Sequence, residues 1–150
     1  MKITDRLKVE HGVFLEQLRF LEELVARNAP AVVLRAVVET IAAAEEHHSQ
    51  LEERVLFPAL AEVMGPTFTP LQSVHADHSR LHALTAQIQA GDVDRDVVLT
   101  YVELMRRHME KEIHGLFPLV DEILSPETLE TLSNWNLEHV LVEMGKDPFS

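Results

Sequence analysis

Apolar residues return every three or four positions along four long stretches of this chain, the spacing that lines one face of an α-helix. The first stretch runs from about Thr4 to Arg27 and carries Leu7, Phe14, Leu18, Leu21 and Val25, with Ile3 just ahead and His11 inside the stripe. The second runs from about Ala31 towards Met64, and its seam reads Leu34, Val37, Ile41, Ala44, His48, Leu51, Glu52, Val55 and Ala59. Pro58 falls late in that run, where a missing N–H should kink or end the helix. The third, Thr69 to about Ala90, shows Leu71, Val74, His78, Leu81, Thr85 and Ile88. The fourth carries Val97, Tyr101, Leu104, His108, Glu112 and Leu119 on one face.

The punctuation between these stretches is short. Asn28-Ala29-Pro30 and Gly65-Pro66 break the chain, Thr69-Pro70 supplies a cap and a first-turn proline, Gly91 closes the third stretch, and Asp92 or Asp94 caps the fourth. Ser125-Pro126-Glu127 opens a shorter helix, from about 126 to 141, which contains Trp135. Residues 145–150 read as a loose tail. Four amphipathic helices joined by short turns predict an all-α, up-down-up-down four-helix bundle over about residues 3–122, within a single domain spanning 1–150.

Composition narrows the chemistry. A formal charge of −12 argues against nucleic acid, whose binding relies on Lys and Arg neutralising phosphate, and against an anionic membrane surface. With no Cys, the chain has no disulfides, thiolate metal sites or iron–sulfur clusters. Neither a signal-peptide run at the amino terminus nor a membrane-length apolar segment is present, so a soluble, cytoplasmic protein is the expectation. The oddity is nine His, most of them patterned.

That pattern is a repeat. His48 to Pro58 reads H-x-x-x-E-x-x-x-L-F-P, and the same string returns from His108 to Pro118. A His and a Glu four apart lie roughly 40° around the helix and about 6 Å along it, close enough for one metal ion. The first and third helices each place one His in the stripe after an acid, Glu10-His11 and Asp77-His78. Two helical hairpins thus each donate a His from one helix and a His plus a Glu from the other.

Buried carboxylates with no Lys or Arg on the same stripes would cost several kcal/mol each, which bound cations would remove. Imidazole with carboxylate and no thiolate suits Fe, Mn or Zn. A ferritin-like arrangement, with Glu-x-x-His on two helices, fits less well: Glu45-x-x-His48 is answered by Met105-x-x-His108. Glu45 is kept as a supplementary ligand or supporting group.

Glu10-His11, His48-x-x-x-Glu52 with Leu56-Phe57-Pro58, Asp77-His78, and His108-x-x-x-Glu112 with Leu116-Phe117-Pro118 together resemble the hemerythrin-like, HHE cation-binding domain. The resemblance covers roughly residues 1 to 141. It implies that His11, His48, His78 and His108 are iron ligands and that Glu52 and Glu112 bridge a non-haem di-iron centre. It further implies a small-molecule ligand, O2, NO or peroxide. Two departures from the oxygen carriers of that family stand out: Val74 replaces a second His on the third helix, and the fourth helix has HxxxE where the carriers have HxxxxD. Both weigh against simple reversible O2 transport.

A fifth His can come from His75 or His82, which project within roughly 40–60° of the neighbouring stripe position; the alternative for both is an exposed residue at the bundle rim. Tyr101, two turns before His108, either bonds a ligand or packs in the core with its hydroxyl reaching water. His47, His114 and His139 fall off the seams. The function classes that remain are a binding or sensing protein, a di-iron oxidoreductase such as one decomposing peroxide, and a structural metal bundle.

Overall fold

The computed structural model describes residues 1–134; the expected end of the last helix, with Trp135 and His139, and the tail at 145–150 lie outside the described residues. No strand occurs among the described residues, and the helices are α1 (Ile3–Ala26), α2 (Ala31–Leu51), α3 (Phe57–Met64), α4 (Thr69–Gln89), α5 (Arg95–Lys111) and α6 (Phe117–Ile123). None of these helices is long and apolar enough to cross a membrane. One turn of π-helix, Glu52–Leu56, joins α2 to α3, and another, Glu112–Leu116, joins α5 to α6. Counting each such pair as one long helix gives four. They close a ring, with α1 against α2, α2 against α4, α4 against α5 and α5 back against α1. This is the four-helix bundle that the periodicity predicts.

Each inter-helix turn contains a residue in the left-handed region, where the chain must reverse: Asn28 (φ 56°), Gly65 (φ 88°) and Gly91 (φ 111°). Asp94 caps α5 by accepting a bond from the Asp96 N–H at 2.9 Å. Thr69 is already the first residue of α4, with Phe68 in the capping place. Residues 126–134 are helical, and Ser125 Oγ accepts the Thr128 N–H at 3.1 Å, as a cap should.

Pro58, expected to kink or end the regular helix, is the second residue of α3, just after a π turn at which the regular α-helix gives way, and Pro118 stands in the same place in α6. The Phe57 N–H reaches back five residues to the Glu52 carbonyl, and the Phe117 N–H reaches the Glu112 carbonyl in the same way. That wider turn takes up the missing proline N–H without a break. It also advances the buried face by one position, so Leu60 and Val120 fill the core where straight α-helices would bury Ala59 and Leu119. Three smaller departures occur upstream, where Val38 and Val98 are buried in place of Val37 and Val97, and Ala44 is exposed while Glu45 is buried.

The apolar interior is in two parts. One gathers Phe14, Leu18, Leu21, Ile41, Leu81, Ile88 and Tyr101; the other gathers Ile3, Leu7, Leu51, Leu56, Leu60, Phe117 and Val120. Each of the four helices thus crosses from one apolar region to the other at the level of its patterned histidine.

Candidate metal centre

The polar layer between the two cores holds His11 from α1, His48 from α2, His78 from α4 and His108 from α5, each at most 4% exposed. Glu52 and Glu112, the first residues of the two π turns, are fully buried among them. The wide turns start at these carboxylates, so the i, i+4 geometry that pairs each Glu with its His ends in a backbone that then re-aims the Leu-Phe-Pro segment. Phe117 lies 5.3 Å from the His11 ring, Phe14 meets the His48 ring edge-on, and Phe57 stacks on His78 at 6.0 Å. Aromatic walls hold the imidazoles and keep bulk water off them.

The ring nitrogens converge. Glu52 Oε1 stands 3.4 Å from His48 Nε2 and 3.3 Å from His78 Nε2. Glu112 Oε1 stands 3.0 Å from His11 Nε2, 3.3 Å from His108 Nε2 and 3.8 Å from His48 Nε2. Each carboxylate therefore faces imidazoles from both hairpins. His11 Nε2 and His48 Nε2 are 3.1 Å apart, the spacing of two nitrogens set about 2.1 Å from one ion at a right angle. Ligand atoms of Glu52, His78, His108 and Glu112 form one group all within 4.8 Å of one another, and those of His11, His48 and Glu112 form a second.

Behind three of the four rings sits an acid. His48 Nδ1 pairs with Glu10 at 2.9 Å, His78 Nδ1 with Glu53 at 2.8 Å, and His108 Nδ1 with Asp77 at 3.3 Å. Lys111 donates to the same Asp77 oxygen at 2.9 Å. Glu10 and Asp77 look unsuited to this from the sequence, because each lies about 100° from the His beside it. The structure resolves that: each serves the His of the next helix in its own hairpin. Glu53 carries no motif signal, but it follows Glu52 on a helix packed against α4; that neighbour relation is what a sequence reading would have needed.

Electrostatics follow the pairing. Burial opposes protonation of His78, yet its contacts with Glu52 and Glu53 prevail and lift its pKa to about 9. Burial opposes protonation of His48 as well, but its bond to Glu10 and the charges of Glu52, Glu10 and Glu45 together outweigh it and raise the pKa. Burial pushes His11 down to about 4 and also lowers His108. Asp77 is buried, but its bonds to His108 and Lys111 hold it down at about 2.

The supplementary candidates divide. Glu45 is 7% exposed with Oε1 lacking a hydrogen-bond partner, and burial raises its pKa to about 7. It also lines a cavity of about 370 Å³ between α2 and α4, along with Glu46 and His82. His82 and His75 do not join the cluster: both are more than half exposed, His82 pairing with Glu46 at 2.9 Å and His75 with Glu53 at 2.8 Å. No fifth His reaches the centre among the described residues. Tyr101 is 1% exposed, and its hydroxyl neither reaches water nor finds a hydrogen-bond partner; burial and then the Glu45 charge raise its pKa. His47 and His114 are exposed.

All four oxygens of Glu52 and Glu112 lack hydrogen-bond donors, as do His78 Nε2 and His108 Nε2. Two bare carboxylates in a dry interior are costly unless cations meet them, and six nitrogen and oxygen donors facing one another are suited to that. The residues fit divalent metal. No curated protein and no solved structure matches the chain. The family model described as the hemerythrin HHE cation binding domain matches residues 2–120, and with that match over a helical bundle lined by buried His and Glu, the chain belongs to the hemerythrin HHE family of metal-binding domains.

Proposed function

We propose that this is a non-haem di-iron protein that binds O2, peroxide or a related small molecule such as NO for sensing, storage or redox handling. The observation that carries the reading is the pair of buried carboxylates, Glu52 and Glu112, each facing imidazoles from both hairpins with no other hydrogen-bond donor. In this reading His11, His48, His78 and His108 would hold the irons through Nε2, with Glu52 and Glu112 as their carboxylate ligands. Mn or Zn would satisfy the same donors. Six protein ligands leave coordination positions open, and the bound irons supply redox chemistry at those positions. The protein's part is to fix the donors and to wall out bulk water with Phe14, Phe57 and Phe117.

Glu45 favours redox handling, peroxide decomposition included, over simple carriage. Its carboxyl is buried beside the donors with Oε1 unpartnered, and burial raises its pKa in the metal-free chain, so in this reading it is the group placed to take or give a proton there. A structural metal bundle has no need of such a group.

The test is an optical spectrum of the iron-loaded protein, first anaerobic and then in air. Near-ultraviolet and visible charge-transfer bands should appear with about two irons per chain. Bands that reverse when O2 is removed favour sensing or storage, while bands that persist, with peroxide consumed over many turnovers and lost in Glu52→Ala, favour the enzyme. Iron bound weakly and without new bands would sink the proposal.

A further inference from the structure

The two halves of the centre are unequal, and the inequality traces to one position of the repeat. Aligning the two hairpins pairs Glu10 with Asp77, His11 with His78, His48 with His108, Glu52 with Glu112, and Glu53 with Ile113. Glu10 and Asp77 do the same work in both halves, each accepting from the Nδ1 of the His on the next helix, His48 and His108. Glu53, on the helix that packs against α4, takes His78 Nδ1 at 2.8 Å. The matching partner for His11 would come from position 113, on the helix pair that packs against α1, and that residue is Ile. His11 Nδ1 is accordingly buried with no hydrogen-bond partner, in a ring 2% exposed.

We infer that the two metal positions differ in affinity, that the half built on His78 and His108 takes a divalent cation first, and that Glu53 is the positioning residue responsible. This rests on the reading of the cluster as a two-ion centre. An imidazole that binds metal through Nε2 carries its proton on Nδ1. A carboxylate accepting that proton fixes the tautomer, orients the ring and raises its basicity, and losing such a partner costs about 10- to 100-fold in metal affinity. His78 has that partner. His11 must instead bury an unpaired N–H each time it binds a cation. The donor set agrees: four ligand atoms gather on the His78–His108 side and three on the His11–His48 side.

The experiment is an anaerobic competition titration of the full chain with Co2+ against a chromophoric chelator. Wild-type protein should bind two equivalents. His11→Ala should keep one tight equivalent, with the d–d spectrum of the wild-type first step, whereas the equivalent kept by His78→Ala should bind about 10- to 100-fold more weakly. Glu53 is partly exposed, so Glu53→Gln leaves the fold intact; it should weaken the His11→Ala protein by at least about tenfold and leave the His78→Ala protein unchanged. A general loss of structure would weaken both. Equal affinities in the two histidine variants, or no half-specific effect of Glu53→Gln, would overturn the inference while leaving the two-ion centre standing. One equivalent or none in wild-type protein would overturn the two-ion reading itself.

Discussion

Glu45 shows how much a single side chain can report. Its counterpart in the repeat is Met105, so nothing in the duplicated motif asks for a carboxylate there. Burial raises its pKa from 4.5 to about 7. The sign follows from that: the folded chain holds this proton more tightly than the unfolded chain, so the stabilising contribution is complete below pH 4.5 and is lost as pH rises through 7. At pH 8 the metal-free protein carries a charge in its interior that the unfolded chain would carry in water. Glu45→Gln should therefore stabilise the metal-free protein at pH 8 by about 2–3 kcal/mol and by far less at pH 4.5. Urea unfolding at the two values decides it, and an equal effect at both would show that the carboxyl is not charged inside the fold. The sequence disclosed Glu45 through its spacing to His48 but could not disclose its burial, since the stripe through Leu34 and Ile41 passes equally near Ala44. Glu10 and Asp77 were legible as acids beside histidines and illegible as partners, because a helix position gives an angle and not the identity of the helix that it faces.

At the scale of elements, the two π turns explain where a periodic reading slips beyond Glu52 and Glu112. A pattern of 3.6 residues per turn carried through Glu52 and Glu112 lands on Ala59 and Leu119, while the fold buries Leu60 and Val120. The same one-residue advance occurs in both repeats at the same distance from the His. It has one cause, the i to i−5 bonds that start at the buried carboxylates. Pro58 was the visible signal, but a missing N–H points to a kink or an end and carries no sign of a widened turn. Packing chose, by placing Leu56, Phe57 and Leu60 in the apolar region that also holds Ile3, Leu7 and Phe117. Leu60→Ala should cost about 2–5 kcal/mol, as removal of a fully buried leucine does, whereas Ala59→Ser should cost less than about 0.5 kcal/mol. Thermal melts of the two variants measure this directly, and a larger penalty at position 59 would mean that the helix runs through as plain α.

At the scale of the whole molecule, the bundle is a closed ring of four helices whose two apolar regions hold a charged layer between them, and that layer couples metal, protons and stability. The fold class was fully legible, because four long amphipathic stretches with short turns leave few other solutions. The coupling was not, because it depends on which acid faces which ring across helices. Without metal, the layer offsets part of its own negative charge by holding protons, chiefly on His78, whose pKa is about 9, and on His48, whose pKa is also raised. A raised histidine stabilises the fold fully below its ordinary value of 6.5 and ceases to do so as pH climbs through about 9. Metal needs the neutral ring, so the same proton competes with it. His11, held down at about 4, has none to give at neutral pH. Two trends therefore run in opposite directions over the same window: between pH 6.5 and 9 the metal-free protein loses stability, and the apparent affinity for Zn2+ rises by up to about tenfold per pH unit for each displaced proton. The gap between the melting temperatures of the zinc-loaded and metal-free protein should widen across that window, and zinc added at pH 7 in weak buffer should release protons. A gap that stays constant from pH 6 to 9, with no proton release, would show that cations enter without displacing the His78 proton, and would place the metal outside the layer that these four histidines define.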